Sequence, residues 1–208
     1  VEEVLNTIAQ TLDIAGRARD TVVCIIKSTI PAGFTEEMQE KFLPLRILFS
    51  PEFLTEKSSI ADFKKTNRII FGGDHDDALI ASKYFSKVQP ERVENDRLVL
   101  LQCDPNVAEM VKLFTNGILM TKVLFANEIY QMCQKLGSNF EEVRSIAVLD
   151  PRIGASHTTV PGPDGQLGAG GHCFPKDINS LRALCKEFGI PEKMFTAVID
   201  RNIELREE

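Results

Sequence analysis

Gly168-Ala169-Gly170-Gly171-His172-Cys173-Phe174-Pro175-Lys176-Asp177 sets one cysteine behind a run of glycines and just ahead of a proline. Glycines let a backbone approach a ligand closely, and Pro175 suits the first turn of a helix. The positive end of a helix dipole favours an anion, so a thiol delivered there is suited to act as a nucleophilic thiolate. The same residues also suit a buried, idle cysteine beside a tight turn, because cysteine is among the most buried residue types. Lys112 and Asn116 lie four apart and share one helix face, which sets an ammonium beside a neutral amide; a solvated helix face has the same spacing. Glu52 follows a proline at a strand end, where a carboxylate serves as a general base or as a turn residue. Arg152, in Asp150-Pro151-Arg152-Ile153-Gly154, suits either an anion or its neighbour Asp150. His172 has no second Cys/His cluster to complete the three or four ligands that zinc needs, so no metal is expected. A Cys-His nucleophile pair is not expected either, since neighbours on an extended loop point apart.

These groups need elements to hold them. Val4, Ile8, Leu12 and Ala15 predict a helix over residues 2–18, and the β-branched run Thr21 to Lys27 predicts a strand buried on both faces in a parallel sheet. The loop Ser28-Thr29-Ile30-Pro31-Ala32-Gly33 leads to a helix from Phe34 to Phe42, and a second strand, Arg46 to Ser50, opens into Pro51-Glu52-Phe53-Leu54-Thr55-Glu56. A third strand, Arg68 to Gly72, precedes a helix from Asp76 to Lys87 capped by Asp74, and Arg97 to Gln102 is a fourth. Such alternation predicts a doubly wound α/β sheet, with ligands outside the carboxyl ends of the strands. No G-x-G-x-x-G occurs in the first hundred residues, so the sheet is expected to be the second half of a larger one.

Beyond Cys103 the pattern turns helical. Asp104-Pro105 starts a helix that meets no further proline before Leu136, some 32 residues or about 48 Å. Val111, Ile118, Phe125 and Met132 recur every seven residues, with Val107 and Phe114 between them, a stripe that predicts packing on several elements including a second subunit. Gly137 ends this helix, Asn139 caps a short one to about Leu149, and a long loop runs from Pro151 to His172. Helices over Ile178 to Phe188 and Met194 to Glu207 complete the chain. Two domains are expected, 1–103 and 104–208.

The 208 residues carry a net charge of -6, which disfavours a nucleic-acid partner. Five scattered cysteines without a C-x-x-C pair predict a reduced, cytoplasmic protein, and no apolar run is long enough for a membrane span.

Four motifs in order then carry a resemblance: Lys-Ser-Thr-Ile-Pro-Ala-Gly at 27–33, Ser-Pro-Glu-Phe-Leu-Thr-Glu at 50–56, Glu109-Met110-Val111-Lys112 through Asn116 to Ile129, and Gly-Gly-His-Cys-Phe-Pro-Lys-Asp at 170–177. The chain resembles the nucleotide-sugar 6-dehydrogenases of the UDP-glucose/GDP-mannose dehydrogenase family. The resemblance implies the second half of a Rossmann-like doubly wound sheet, 1–103, as part of an NAD-binding domain, followed by an all-helical central dimerisation domain, 104–208, with one long helix. It covers the middle of the family's architecture, so an N-terminal glycine-rich loop and a C-terminal α/β domain are expected to lie outside the chain. The activity implied is NAD-dependent four-electron oxidation of a UDP-sugar primary alcohol, UDP-glucose to UDP-glucuronate, through a cysteine thiohemiacetal and thioester. Cys173 would be the nucleophile, Lys112 and Asn116 the oxyanion donors, Asp177 an acceptor for an ordered water or for Lys112, and Glu52 the activator of the hydrolytic water, helped by Thr29. Ser28, Thr29, Glu56, Cys173 and Lys176 would face NAD. Glu52, Phe53, Leu54, Lys112, Asn116, Gly168 and Gly170 would touch the UDP-sugar, with Arg152 reaching in from the partner of a homodimer built on the long helix 105–136.

Two departures bear on the substrate. Residues 155–167 form a longer loop than many UDP-glucose enzymes have and lack their aromatic-leucine pair. His172 is closer to relatives acting on N-acetylated UDP-sugars, whereas Phe174-Pro175-Lys176-Asp177 is closer to the UDP-glucose type. The alternatives are a related enzyme for an N-acetylated UDP-hexosamine or GDP-mannose, or a truncated dimerisation piece that does not hold NAD.

Overall fold

The computed structural model describes residues 1–54, 59–88, 90–95 and 97–207, packed as two compact units, Val1–Lys112 and Leu113–Glu208. The first unit is built on a four-stranded sheet ordered β1 (Val23–Ile26), β2 (Arg46–Phe49), β3 (Arg68–Gly72) and β4 (Val99–Cys103). Side chains alternate across a strand, and here the alternation separates two cores. Cys24, Ile26, Ile47, Phe49 and Ile70 face one side, under α1 (Glu2–Ile14), α2 (Phe34–Lys41) and Ala108 of α6 (Pro105–Leu136). Leu48, Ile69 and Phe71, with Val23 and Ile25, face the other, under Ala78, Ala81 and Phe85 of α4 (His75–Val88). Helices thus cover both faces, and the apolar runs that predict doubly buried strands follow from that. Asp74 caps α4 as expected, its Oδ1 accepting from the amides of Asp76 and Asp77.

Three details depart from the sequence expectation. β1 pairs with β2 and β3 with β4 in parallel, but β2 and β3 meet antiparallel at Phe49 and Gly72, so the sheet is mixed. Apolar runs report coverage of both faces and carry no information on strand direction. In α1 the buried face is Leu5, Ala9 and Leu12, while Val4 is exposed; the two interleaved apolar sets differ by one position. Two short helices, α3 (Ser59–Lys65) and α5 (Pro90–Glu94), have too few apolar residues for a readable period. Gly72 is the tight point of this unit, since a Cβ there would stand 2.6 Å from Ala108 Cβ and 3.1 Å from Pro105 Cα.

In the second unit α6 continues beside α7 (Phe140–Ala147), α8 (Cys173–Glu187) and α9 (Lys193–Glu207), with residues 148–172 in neither helix nor strand. Leu113, Met120 and Leu124 of α6 pack with Ile178 and Leu181 of α8 and with Val198, Ile199 and Leu205 of α9. Gly117 admits the Leu181 side chain, which would lie 2.8 Å from an added Cβ. A smaller cluster joins Cys133 to Phe140, whose ring meets Tyr130 edge to face at 5.5 Å. Asn139 caps α7, and α8 begins at Cys173, five residues before the expected Ile178. Of the heptad stripe of α6, Val111 packs half-buried against the first core, while among the described residues the rest stays largely uncovered: Phe114 and Phe125 are each 66% exposed, and Val107, Ile118 and Met132 are about half exposed. Among the described residues no helix is long and apolar enough to cross a membrane.

Candidate active site

Two groups of the expected site residues form, one in each unit. In the first, the loops after β1 and β2 leave strand ends tied by a bond from Ser50 N–H to the Ile26 carbonyl at 2.9 Å. Ser28 is exposed and Thr29 half-buried in the loop after β1. Glu52 lies in the loop after β2, where its carboxylate meets Lys27 Nζ at 2.5 Å; Lys27 also donates to Ser50 Oγ at 2.9 Å. Lys112, buried on α6, donates to the Glu52 carbonyl oxygen at 2.5 Å. The Phe53 ring lies between two cations, with Lys112 Nζ 5.4 Å and the Arg68 guanidinium 4.9 Å from its centroid. Leu54 is half-buried, and Glu56 falls outside the described residues. Lys112 and Glu52 are therefore brought together, through the glutamate's backbone, while its side chain turns to Lys27.

In the second unit Cys173 is the first residue of the 15-residue helix α8, and of the five free cysteines it is the exposed one. Gly168 and Gly171, at φ of 71° and 73°, give the backbone left-handed turns ahead of it. Four residues on, Asp177 is fully buried and its Oδ2 accepts from Asn116 Nδ2 at 2.5 Å. Its Oδ1 has Lys176 Nζ at 2.9 Å, off the line of a hydrogen bond. Asn116 and Asp177 are thus brought together as a buried pair, with the amide donating and the carboxylate accepting. Phe174 stacks at a tilt on His157, their rings 5.6 Å apart. Burial and the nearby Lys122 charge push the His157 imidazole below its ordinary value, which favours the neutral ring. Arg152 extends into solvent and forks onto Asp150, at 2.9 Å from Nε and 2.5 Å from Nη2.

The glycine loop is held by groups that spacing alone does not single out. Asn127 of α6 accepts from Gly168 N–H at 3.0 Å. Asn202 of α9 engages both backbone groups of Ala169, accepting from its N–H at 2.7 Å and donating to its carbonyl at 3.2 Å. Arg206 of α9 donates to Asp164 Oδ2 at 2.8 Å and to Gln166 Oε1, and holds the Asp164 carboxyl below the usual carboxylate range. A Cβ at Gly170 would meet the ends of the Arg206 and Asp164 side chains, so a larger residue there would displace that ion pair.

Residues 1–89 match the NAD binding domain of the UDP-glucose/GDP-mannose dehydrogenase family, and residues 106–204 match the same family's central domain. The chain belongs to that family. A UDP-glucose 6-dehydrogenase of Streptococcus pneumoniae is 37% identical over 185 residues, 88% of this chain and 45% of the relative. One of Campylobacter jejuni is 33% identical over 184 residues, 88% of this chain and 44% of its own. The solved UDP-glucose dehydrogenase of Pyrobaculum islandicum is 30% identical with a TM-score of 0.71, over 88% of this chain and 41% of that one. The chain spans less than half the length of these relatives.

In this member of the UDP-glucose/GDP-mannose dehydrogenase family, Lys27 and Asn127 lie in the motifs that carry the resemblance but have no role expected from the sequence, and Asn202 and Arg206 lie outside those motifs. One signal was available: Asn127 lies eleven residues beyond Asn116, three helical turns, on the face of α6 that carries buried polar groups. Nothing local marks Asn202, whose partner lies 33 residues away. Because Asn202 satisfies two buried backbone groups, Asn202→Ala should destabilise the protein by about 2–4 kcal/mol. Arg152→Ala, on an exposed pair, should leave stability nearly unchanged. Urea unfolding of the two variants checks this, and equal midpoints would contradict it.

Proposed function

We propose that this chain forms the catalytic centre of an NAD-dependent nucleotide-sugar 6-dehydrogenase that oxidises UDP-glucose to UDP-glucuronate. The observation that carries the reading is Cys173, the exposed cysteine at the head of α8, one turn from a buried amide-carboxylate pair. A nucleophile needs access, and here it is combined with hydrogen-bonding groups held rigid by burial.

The cofactor fits the first unit by the chemistry of its groups. The exposed Ser28 hydroxyl and the half-buried Thr29 hydroxyl stand at the carboxyl end of β1, where dinucleotides lie in folds of this kind. These hydroxyls, with Glu56 and Lys176, would hold NAD, which supplies the hydride acceptor for both oxidations. The chain's own groups do the rest. Lys112 and Asn116 steady the C6 alkoxide and later oxyanions. The C6 hydroxyl passes its proton to water and a first hydride leaves C6, giving the aldehyde; the Cys173 thiolate then adds to its carbonyl carbon to give the thiohemiacetal oxyanion, and loss of a second hydride leaves a thioester. Glu52, with Thr29, draws a proton from water, which attacks the thioester carbonyl; the C–S bond breaks, releasing the carboxylate and the thiolate. Asp177 holds Asn116 for this work, and Phe53, Leu54, Gly168 and Gly170 line the sugar-nucleotide side. Residues 1–103 serve as the NAD-binding part and 104–208 as the central helical domain.

The exposed stripe of α6 supports a homodimer through that helix, with Arg152 reaching the partner's substrate. Phe114 and Phe125 leave an apolar face that water would not stably cover. Five free cysteines and a dinucleotide co-substrate fit a reducing, cytoplasmic setting.

In the full-length protein, UDP-glucose should yield about two NADH per sugar, and Cys173→Ala should lower that turnover by at least about a thousandfold. Absorbance at the NADH band measures both; faster turnover of UDP-N-acetylhexosamine or GDP-mannose would reassign the substrate. Phe125→Glu should convert a dimer to a monomer in analytical ultracentrifugation, and an unchanged mass would contradict the α6 interface.

A further inference from the structure

Glu109 of α6 is 1% exposed, and both of its carboxylate oxygens face the segment that joins β1 to α2. Oε2 accepts from Gly33 N–H at 2.6 Å, and Oε1 accepts from Thr35 N–H at 2.9 Å and from Thr35 Oγ1 at 2.6 Å. Gly33 is the N-cap residue of α2, at φ 85°, and has no side chain with which to cap the helix. The orphan amides of a helix start need an acceptor, and an anion there also gains from the helix dipole. Glu109 supplies that acceptor from more than seventy residues away in sequence. Thr35, itself 1% exposed, completes a three-donor cradle around one carboxylate.

One turn further along α6, Lys112 bonds the Glu52 carbonyl and lies over Phe53. A single helical turn therefore fixes both loops at the carboxyl ends of β1 and β2. Ser28 and Thr29 sit between two anchors, the strand β1 on one side and the Glu109 cradle on the other, with Ile30 buried in the core beneath them.

We propose that Glu109 is a positioning residue for the cofactor side of the site: by holding Gly33 and Thr35 it sets where Ser28 and Thr29 stand. This rests on the proposed NAD chemistry, and the test separates the two. In the full-length protein, Glu109→Gln and the milder Thr35→Val are compared with wild type by hydrogen-deuterium exchange over residues 28–35. Steady-state kinetics with NAD and UDP-glucose follow, normalised to Cys173 titrated with a thiol reagent. Exchange in 28–35 should quicken in both variants. The KM for NAD should rise about tenfold in Glu109→Gln, as for loss of one charge-assisted hydrogen bond, and about threefold in Thr35→Val, while the KM for UDP-glucose moves less. Unchanged exchange, or a fall in kcat matching the loss of titratable protein with KM for NAD unmoved, overturns the proposal. If Glu109→Gln does not fold, Thr35→Val decides alone by the same two readouts. A wild type that reduces no NAD with any nucleotide sugar refutes the function proposed above, and the exchange measurement still decides whether Glu109 holds the loop.

Discussion

Helix α6 buries polar groups along one side, and each of them has to find a partner. At roughly 100° per residue Glu109, Asn116 and Asn127 fall within about 20° of one direction, with Lys112 about 60° away. All four are at most 8% exposed. A buried donor or acceptor left unpaired costs about 1–3 kcal/mol, more if charged. Their partners include Gly33 and Thr35 at the start of α2, the Glu52 carbonyl, Asp177 of α8 and the Gly168 amide, while the Asn127 amide also donates to the Val123 carbonyl one turn back in α6. Within each unit, the segments expected to do the chemistry are therefore held by the buried polar side chains that α6 contributes to that unit. The heptad stripe of Phe114, Ile118, Phe125 and Met132 points about 160° the other way, and it is the side left open.

That arrangement divides labour within each unit. In the first, cations converge on the loop after β2: Lys27 meets the Glu52 carboxylate, and Lys112 takes its carbonyl and shares the Phe53 ring with Arg68. In the second, Cys173 is left exposed while what surrounds it is fixed, by the buried Asn116-Asp177 pair on one side and by Asn127, Asn202 and Arg206 on the glycine loop. Left-handed glycines turn that loop, and side chains on α6 and α9 hydrogen-bond it. Rigid support around an accessible thiol is what preorganised covalent catalysis requires.

Much of this is legible in the residues, for identifiable reasons. The run Thr21 to Lys27 reads as a doubly covered strand because both faces of β1 meet apolar side chains, and the proline-free stretch after Pro105 reads as one long helix because nothing in it breaks the period. Asp74 and Asn139 read as caps because capping is local. What could not be read is non-local or directional. The antiparallel meeting of β2 and β3 leaves no mark on either apolar run, and Val4 and Leu5 offer interleaved faces between which only the sheet decides. The start of α8 at Cys173 was legible as chemistry but not as a boundary, since glycines and a proline precede its apolar period. The bond from Asn202 to Ala169 and the ion pair from Lys27 to Glu52 are non-local, and nothing in the sequence around either side chain names its partner.

In the proposed mechanism Cys173 forms a covalent bond to the oxidised sugar. Mass spectrometry of the full-length Glu52→Gln protein, quenched in acid during reaction with UDP-glucose and NAD, tests it most directly, because slowed hydrolysis should let the thioester accumulate. The expected result is a UDP-glucuronyl adduct on the peptide that carries Cys173 and on no other cysteine. An unmodified Cys173 in an enzyme that is forming NADH, or an adduct on another residue, would contradict it.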